Sequence, residues 1–308
     1  MKKLLGKMVL LGAISLGLTA CSSGVSGDEN ETMKVTTTIA QIADIVENVG
    51  GDKVEVESLM GPGIDPHLYK ASQGDLKKLN EADIIFYNGL KLEGRMGDIL
   101  NKMMDEKATV AVAESVPTDK LLIAEGETDK KDPHVWFDIS LWVYAVEEVK
   151  ETLIKEDKAN ADLYEKNAEA YIKKLEELDT YAKEQLATIP EESRVLVTAH
   201  DAFQYFGKAY GMEVTGLQGL STDAEFGLSD VRSIVDLLVE RNIKAVFVES
   251  SISEDSINAV VQGAESKDHT VVIGGELYSD AMGAAGTETG TYLGMFRHNI
   301  DTIVKALK

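Results

Sequence analysis

The chain has 308 residues, 44% of them hydrophobic, with 53 acidic against 31 basic side chains and a formal charge of −22. That length allows one large or two medium domains with well-filled cores, and that charge excludes a nucleic-acid partner, which demands a basic footprint. The single cysteine, Cys21, excludes an internal disulfide.

Lys2, Lys3 and Lys7 precede an apolar run from Met8 to Leu18 that is too short to span a bilayer. The run ends in Leu18-Thr19-Ala20-Cys21. It reads as a signal peptide over 1–20, with Cys21 as the lipidation site. Residues 21–32 are small, polar and acidic, as expected of a lipidated flexible tether. The folded part is then expected on the extracytoplasmic face of the cell membrane, held to the lipid bilayer through Cys21 by a two-chain lipid. Removing the three lysines with the leader moves the net charge from −22 to −25.

Beyond the tether, strands and helices alternate. Met33 to Ala40, Val54 to Met60, Ile84 to Tyr87 and Thr109 to Ala113 are β-branched runs of strand length, with helical patterns such as Leu76 to Glu81 between them. From Ser140 to Ile189 there is no Gly or Pro. There Ile172, Leu175, Leu178, Ala182 and Leu186 recur at helical steps, and Pro190 stops the pattern. Alternation then resumes with strands at Val195 to Thr198, Val214 to Leu217, Ala245 to Val248 and Thr270 to Ile273. Helices are expected at Ser229 to Arg241, Glu254 to Glu265 and Tyr292 to Leu307, the second capped by Ser253. The fold class is α/β: two lobes, each with a mostly parallel sheet flanked by helices, joined by a long rigid helix. The expected boundaries are 33–160, 161–190 for the connecting helix, and 191–308.

With only five prolines and five histidines, the chain twice reads Asp-Pro-His, at Asp65-Pro66-His67 and Asp132-Pro133-His134. Proline fixes its own φ and extends the residue before it, so each His is mounted on a stiff corner. Two turns that happen to end in His are the alternative. In parallel α/β sheets ligands bind beyond the carboxyl ends of strands. The strand Val195 to Thr198 runs into His200 and Asp201, and the last strand leads through Gly274-Gly275 to Glu276, Tyr278 and Asp280. Three imidazoles and one carboxylate suit a divalent transition metal held between lobes. Asp201 and Glu276 are the alternative oxygen donors. His269, just before a strand, and His298, on the last helix, read as surface or satisfied histidines.

At these positions the chain resembles the TroA-like solute-binding lipoproteins of bacterial ABC importers for manganese, zinc and iron. The resemblance rests on the lipobox at Cys21, Gly63-Ile64-Asp65-Pro66-His67, Asp132-Pro133-His134-Val135-Trp136 with Asp138, and Val197-Thr198-Ala199-His200 with Phe203, Tyr205 and Phe206. Phe247-Val248-Glu249-Ser250 and the loop ending in Asp280 complete it. It implies His67, His134, His200 and Asp280 as metal ligands, a membrane permease as partner, and a monomer without catalytic residues. Many manganese and iron members carry Glu where His200 stands. Zinc-specialised members often carry a His-rich loop before the second ligand, whereas residues 114–131 hold no His. Phe226 stands where Pro is expected.

The expected cargo is Mn²⁺, with Zn²⁺ as the alternative, since imidazoles and the Irving–Williams order favour zinc. Affinity is expected to fall below about pH 6.5, where free imidazole protonates. The connecting helix implies small tilts rather than wide hinge closure. Two readings from other classes compete. A zinc hydrolase would need an open metal position and a base; no His-Glu-x-x-His or Gly-x-Ser-x-Gly is present, and Glu225 and Glu249 read as structural hydrogen-bond partners. A His67→Ala variant separates transport from a surface adhesin: loss of metal-dependent growth with adhesion intact is expected of a transport receptor, and the reverse outcome of an adhesin.

Overall fold

The computed structural model describes residues 32–123, 129–223 and 226–308. The leader, Cys21 and Glu225 lie outside the described residues. So does all of the tether but Thr32.

In the N-terminal lobe, β1 (Met33–Thr37), β2 (Val54–Ser58), β3 (Ile84–Tyr87) and β4 (Ala108–Ala111) form one parallel sheet in the order β2-β1-β3-β4. α1 (Ala40–Gly50), α2 (Gln73–Glu81) and α3 (Gly97–Glu106) flank it. The first strand is shorter than its β-branched run, because the chain turns into α1 at Ala40. α1 buries Ile42, Ile45, Val46 and Val49, one helical stripe. α2 opens on a capping box in which Ser72 and Asp75 satisfy each other's main-chain N–H groups.

The Gly-free stretch forms two helices, α4 (Ile139–Glu156) and α5 (Ala161–Leu186). At 26 residues, α5 is about 39 Å long. Its buried stripe is Tyr164, Ala168, Tyr171, Leu175, Leu178, Ala182 and Leu186; Tyr171 takes the inward place expected of Ile172, which is half-buried.

The C-terminal lobe holds β5 (Val195–His200) paired parallel with β6 (Glu213–Gln218), and β7 (Ala245–Glu249) paired parallel with β8 (Val272–Leu277). β5 also lies beside β7. α6 (Gln204–Tyr210), α7 (Leu228–Glu240), α8 (Asp255–Glu265) and α9 (Tyr292–Leu307) complete it. Two expectations are corrected here. Ser253 does not cap α8 from the N-cap position, which Glu254 occupies; its hydroxyl instead accepts from the N–H of Asp255. The last strand starts and ends later than expected, so Glu276 is a strand residue. Gly274 and Gly275 sit inside that strand because a Cβ on either would strike Ala306 or Thr302 of α9, at 2.7 and 2.5 Å.

One core runs from β1 and α1 through α4 and α5 to α9, and a second lies under the two C-terminal strand pairs, which are separate two-stranded sheets. The connecting helix is therefore packed into a continuous interior behind the cleft rather than standing free. Among the described residues no helix is long and apolar enough to cross a membrane.

Candidate metal centre

Four chain segments, two from each lobe, converge on one point. His67 follows β2, and His134 precedes the 3-10 turn Val135–Phe137 that leads into α4. His200 ends β5, and Asp280 follows β8. Their exposures are 4, 0, 0 and 1%. One donor atom from each lies within 4.8 Å of all the others.

The two Asp-Pro-His corners share one device. Asp65 Oδ1 accepts the main-chain N–H of His67 at 2.8 Å, and Asp132 Oδ1 accepts that of His134 at 2.9 Å. Each is an Asx-turn, a side-chain bridge two residues long that fixes the direction of the following residue. Their remaining contacts differ. Asp132 Oδ1 also sits 2.7 Å from His134 Nδ1, whereas Asp65 Oδ2 accepts the hydroxyl of Thr222 from the loop after β6, at 2.5 Å. Arg95 pairs with Asp223 beside it. These two links close the rim of the cleft between lobes.

His200 is held from β7. Glu249 Oε1 accepts its main-chain N–H at 2.8 Å, and Oε2 lies 2.6 Å from its Nδ1. Asp132 and Glu249 thus stand behind two of the three imidazoles and leave each Nε2 facing inward. The main chain of His200 also leans on Gly216 of β6, where a Cβ would come within 2.4 Å of the His200 carbonyl carbon and the Asp201 nitrogen. Gly216→Ala is expected to push His200 off line. Metal affinity should fall about tenfold or more and stability by about 1–3 kcal/mol, the usual cost of overpacking. Chelator competition and a denaturation midpoint check this; if neither moves, Gly216 does not position His200.

At the centre, the Nε2 atoms of His67, His134 and His200 lie 3.5, 3.4 and 3.3 Å from an Asp280 oxygen. Donors bound at about 2.0–2.2 Å around a tetrahedral ion sit about 3.3–3.6 Å apart. Those three nitrogens and both Asp280 oxygens are buried and have no hydrogen-bond partner. Buried polar atoms without partners are costly, and a divalent cation held between them would satisfy all five at once.

Electrostatics separates the imidazoles. Burial pulls His67 down to about 3, and the attraction of Asp280 does not offset it. Burial also opposes charging of His134, but Asp132 and Asp280 outweigh it and push that group up to about 9. Glu249 and Asp280 likewise carry His200 well above the ordinary imidazole range against its burial. Burial acts to raise the Asp280 carboxyl, yet the facing histidines, His200 foremost, hold it well below the carboxylate range. The floor is aromatic: Trp136 lies edge-on to His134 at 5.2 Å, with Trp142, Phe137, Phe203 and Phe296 behind it.

The other sequence candidates fall outside this group. Asp201 accepts from Gln204 Nε2 at 2.6 Å, and Glu276 is exposed on β8. His269 Nε2 bonds the Ile243 carbonyl at 2.7 Å, and His298 Nε2 bonds that of Glu276 at 3.1 Å. Asp132 and Gly216 went unassigned at the sequence level. Asp132 had a local signal, since it repeats the place of Asp65 before Pro-His.

Comparison with known proteins places this geometry. Residues 35–306 match the family described as ZnuA, zinc-uptake complex component A, periplasmic. The manganese-binding lipoprotein MntA of Bacillus subtilis (strain 168) is 58% identical over 306 residues, covering 98% of this chain and 99% of that relative. The zinc-binding protein TroA of Treponema pallidum is 47% identical over 89% of this chain and 88% of its own length. A solved structure of periplasmic zinc-binding TroA from that organism superposes with a TM-score of 0.88 at 46% identity, covering 90% of this chain and 99% of that one. The manganese ABC transporter substrate-binding lipoprotein PsaA of Streptococcus pneumoniae is 33% identical over 100% of this chain and 99% of its own. The chain therefore belongs to the zinc-uptake component A family, the metal-binding solute receptors of ABC importers.

Proposed function

We propose that the protein captures Mn²⁺ outside the cytoplasmic membrane and delivers it to the permease of an ABC importer, with His67, His134, His200 and Asp280 as the four ligands. The single observation that carries this is the convergence of three Nε2 atoms on the two oxygens of Asp280 at 3.3–3.5 Å, all buried and unpartnered. Manganese is favoured by the 58% identity to a manganese-binding lipoprotein and by the engagement of both Asp280 oxygens, which allows more than four donors. Zinc is the second reading, favoured by three imidazoles and by the likeness to zinc-binding TroA.

Capture exchanges the hydration shell of the ion for these donors at a buried site. Asp132 and Glu249 orient His134 and His200 before the ion arrives, so little ordering remains to oppose binding. A site that surrounds its ion serves carriage; catalysis would need a position left for water. Release then requires the permease to part the two lobes and break the ligand set. The anchor is read from the lipobox at Cys21 and from relatives that are named lipoproteins, and the working unit is a monomer held at the extracytoplasmic face.

The test is elemental analysis of protein purified without chelator, followed by competing Mn²⁺ and Zn²⁺ titrations. Both ions are expected to raise the melting temperature, as native-state binding requires. If neither does, the receptor reading falls. A strain lacking the protein should grow under metal limitation when manganese is supplied; rescue by zinc alone would install the second reading.

A further inference from the structure

α1 reaches across from the N-terminal lobe and meets the Asp280 segment twice. Gln41 Nε2 donates to the main-chain oxygens of Asp280 and Ser279 at 3.0 and 3.3 Å. One turn further, on the same face of the helix, Asp44 accepts the hydroxyl of Tyr171 at 2.6 Å and the main-chain N–H of Tyr292, the first residue of α9. Between these anchors the chain folds back on itself, with Gly283 N–H bonded to the Thr289 carbonyl at 2.8 Å. One helix of the opposite lobe thus grips both ends of the segment that carries the carboxylate donor.

Gln41 is fully buried, and its Oε1 has no partner. An unpaired buried acceptor costs stability, so an apolar side chain of similar volume would serve better if packing were its only role. Its two amide hydrogens are both spent on Ser279 and Asp280.

Resting on the metal-receptor reading, we infer that Gln41 is a positioning residue for metal selectivity: it fixes the depth of the Asp280 main chain so that both carboxylate oxygens face the ion. The oxygens divide the donors between them, Oδ1 toward His134 and Oδ2 toward His67 and His200. A carboxylate bound through both oxygens brings the donor count to five, which suits Mn²⁺; Zn²⁺ is satisfied by four. With the grip released, Asp280 turns to one-oxygen contact and only manganese loses.

The test compares Mn²⁺ and Zn²⁺ dissociation constants, by chelator competition, for the full chain and for Gln41→Leu and Gln41→Met. Loss of an orienting partner weakens metal binding about 10–100-fold. That loss is expected for Mn²⁺ in both variants, with Zn²⁺ affinity nearly unmoved and the paramagnetic resonance spectrum of bound Mn²⁺ altered in shape. Parallel losses for the two ions, or none for either, overturn the inference. The metal-free melting temperature reports folding, and if the branched Leu is not accommodated the slimmer Met carries the comparison. Failure of the unaltered chain to bind either ion sinks the receptor reading itself. Normal binding there, with an unmoved ratio in the variants, sinks only the role of Gln41.

Discussion

Asp280→Asn is expected to abolish useful metal binding: the affinity for Mn²⁺ should fall by more than the ~10–100-fold that accompanies loss of an orienting partner. Asp280 is the one anion in the proposed donor set, and each of the three Nε2 atoms lies within 3.5 Å of one of its oxygens. An amide removes that charge and offers one weak donor, its nitrogen pointing N–H groups at the ion. Thermal shift gives a direct reading. At a thousand times the dissociation constant, a ligand stabilises the native state by about 4 kcal/mol. With an unfolding entropy of about 2.1 cal/mol/K per residue, a chain of this size should then melt roughly 6–7 °C higher. The unaltered protein should show it with Mn²⁺ and the variant should show almost none. A variant that keeps affinity within tenfold of the parent would remove Asp280 from the site.

The second large effect is on pH. At pH 7 the metal-free site holds charged His134, pushed up to about 9, charged His200, an ionised Asp280 and a neutral His67. Ligation by these imidazoles would need them neutral, so binding is expected to expel close to two protons, and affinity should climb on the order of 10–100-fold per pH unit between pH 6 and 8. The window lies above the pH 6.5 suggested by free histidine, because Asp132 and Glu249 stabilise the imidazolium. The sign for stability is opposite. A His whose pKa is raised on folding stabilises the metal-free protein fully below its unfolded value of about 6.5, and that contribution is lost as pH rises through about 9. The metal-free melting temperature should therefore fall from pH 6 to pH 9 while the metal-induced rise grows. Calorimetry at pH 7 in two buffers of different ionisation heat counts the protons; a count near zero contradicts the charge assignment, and Asp132→Asn should lower it by about one.

What was legible in the sequence was local or periodic. The β-branched runs, the Gly-free helical stretch and the doubled Asp-Pro-His announce themselves within a few residues, and so His67 and His134 could be singled out as candidate ligands. His200 and Asp280 needed the rule that sites gather beyond strand ends. The supports were harder. Glu249 meets His200 only because β5 and β7 lie side by side, 49 positions apart in sequence, and Gln41 reaches Asp280 across 239. Neither contact has a sequence pattern of its own. The edges of elements slipped for the same reason: Gly274-Gly275 reads as a strand end, yet the close approach of α9 makes it the middle of β8.

The aromatic floor has a kinetic consequence. Trp136, Trp142, Phe137, Phe203 and Phe296 offer a departing dication no polar step inward, and stripping its last ligands against such a wall is prohibitive. Contacts between the lobes next to His67 are polar instead, where Thr222 meets Asp65 and Arg95 meets Asp223. Residence time is therefore expected to follow the opening of these polar contacts, with the part-buried Thr222–Asp65 bond weighing more than the exposed ion pair. On the proposed receptor reading, a loaded molecule is expected to keep its ion until it meets the importer, so that encounters rather than spontaneous leakage set the pace of delivery.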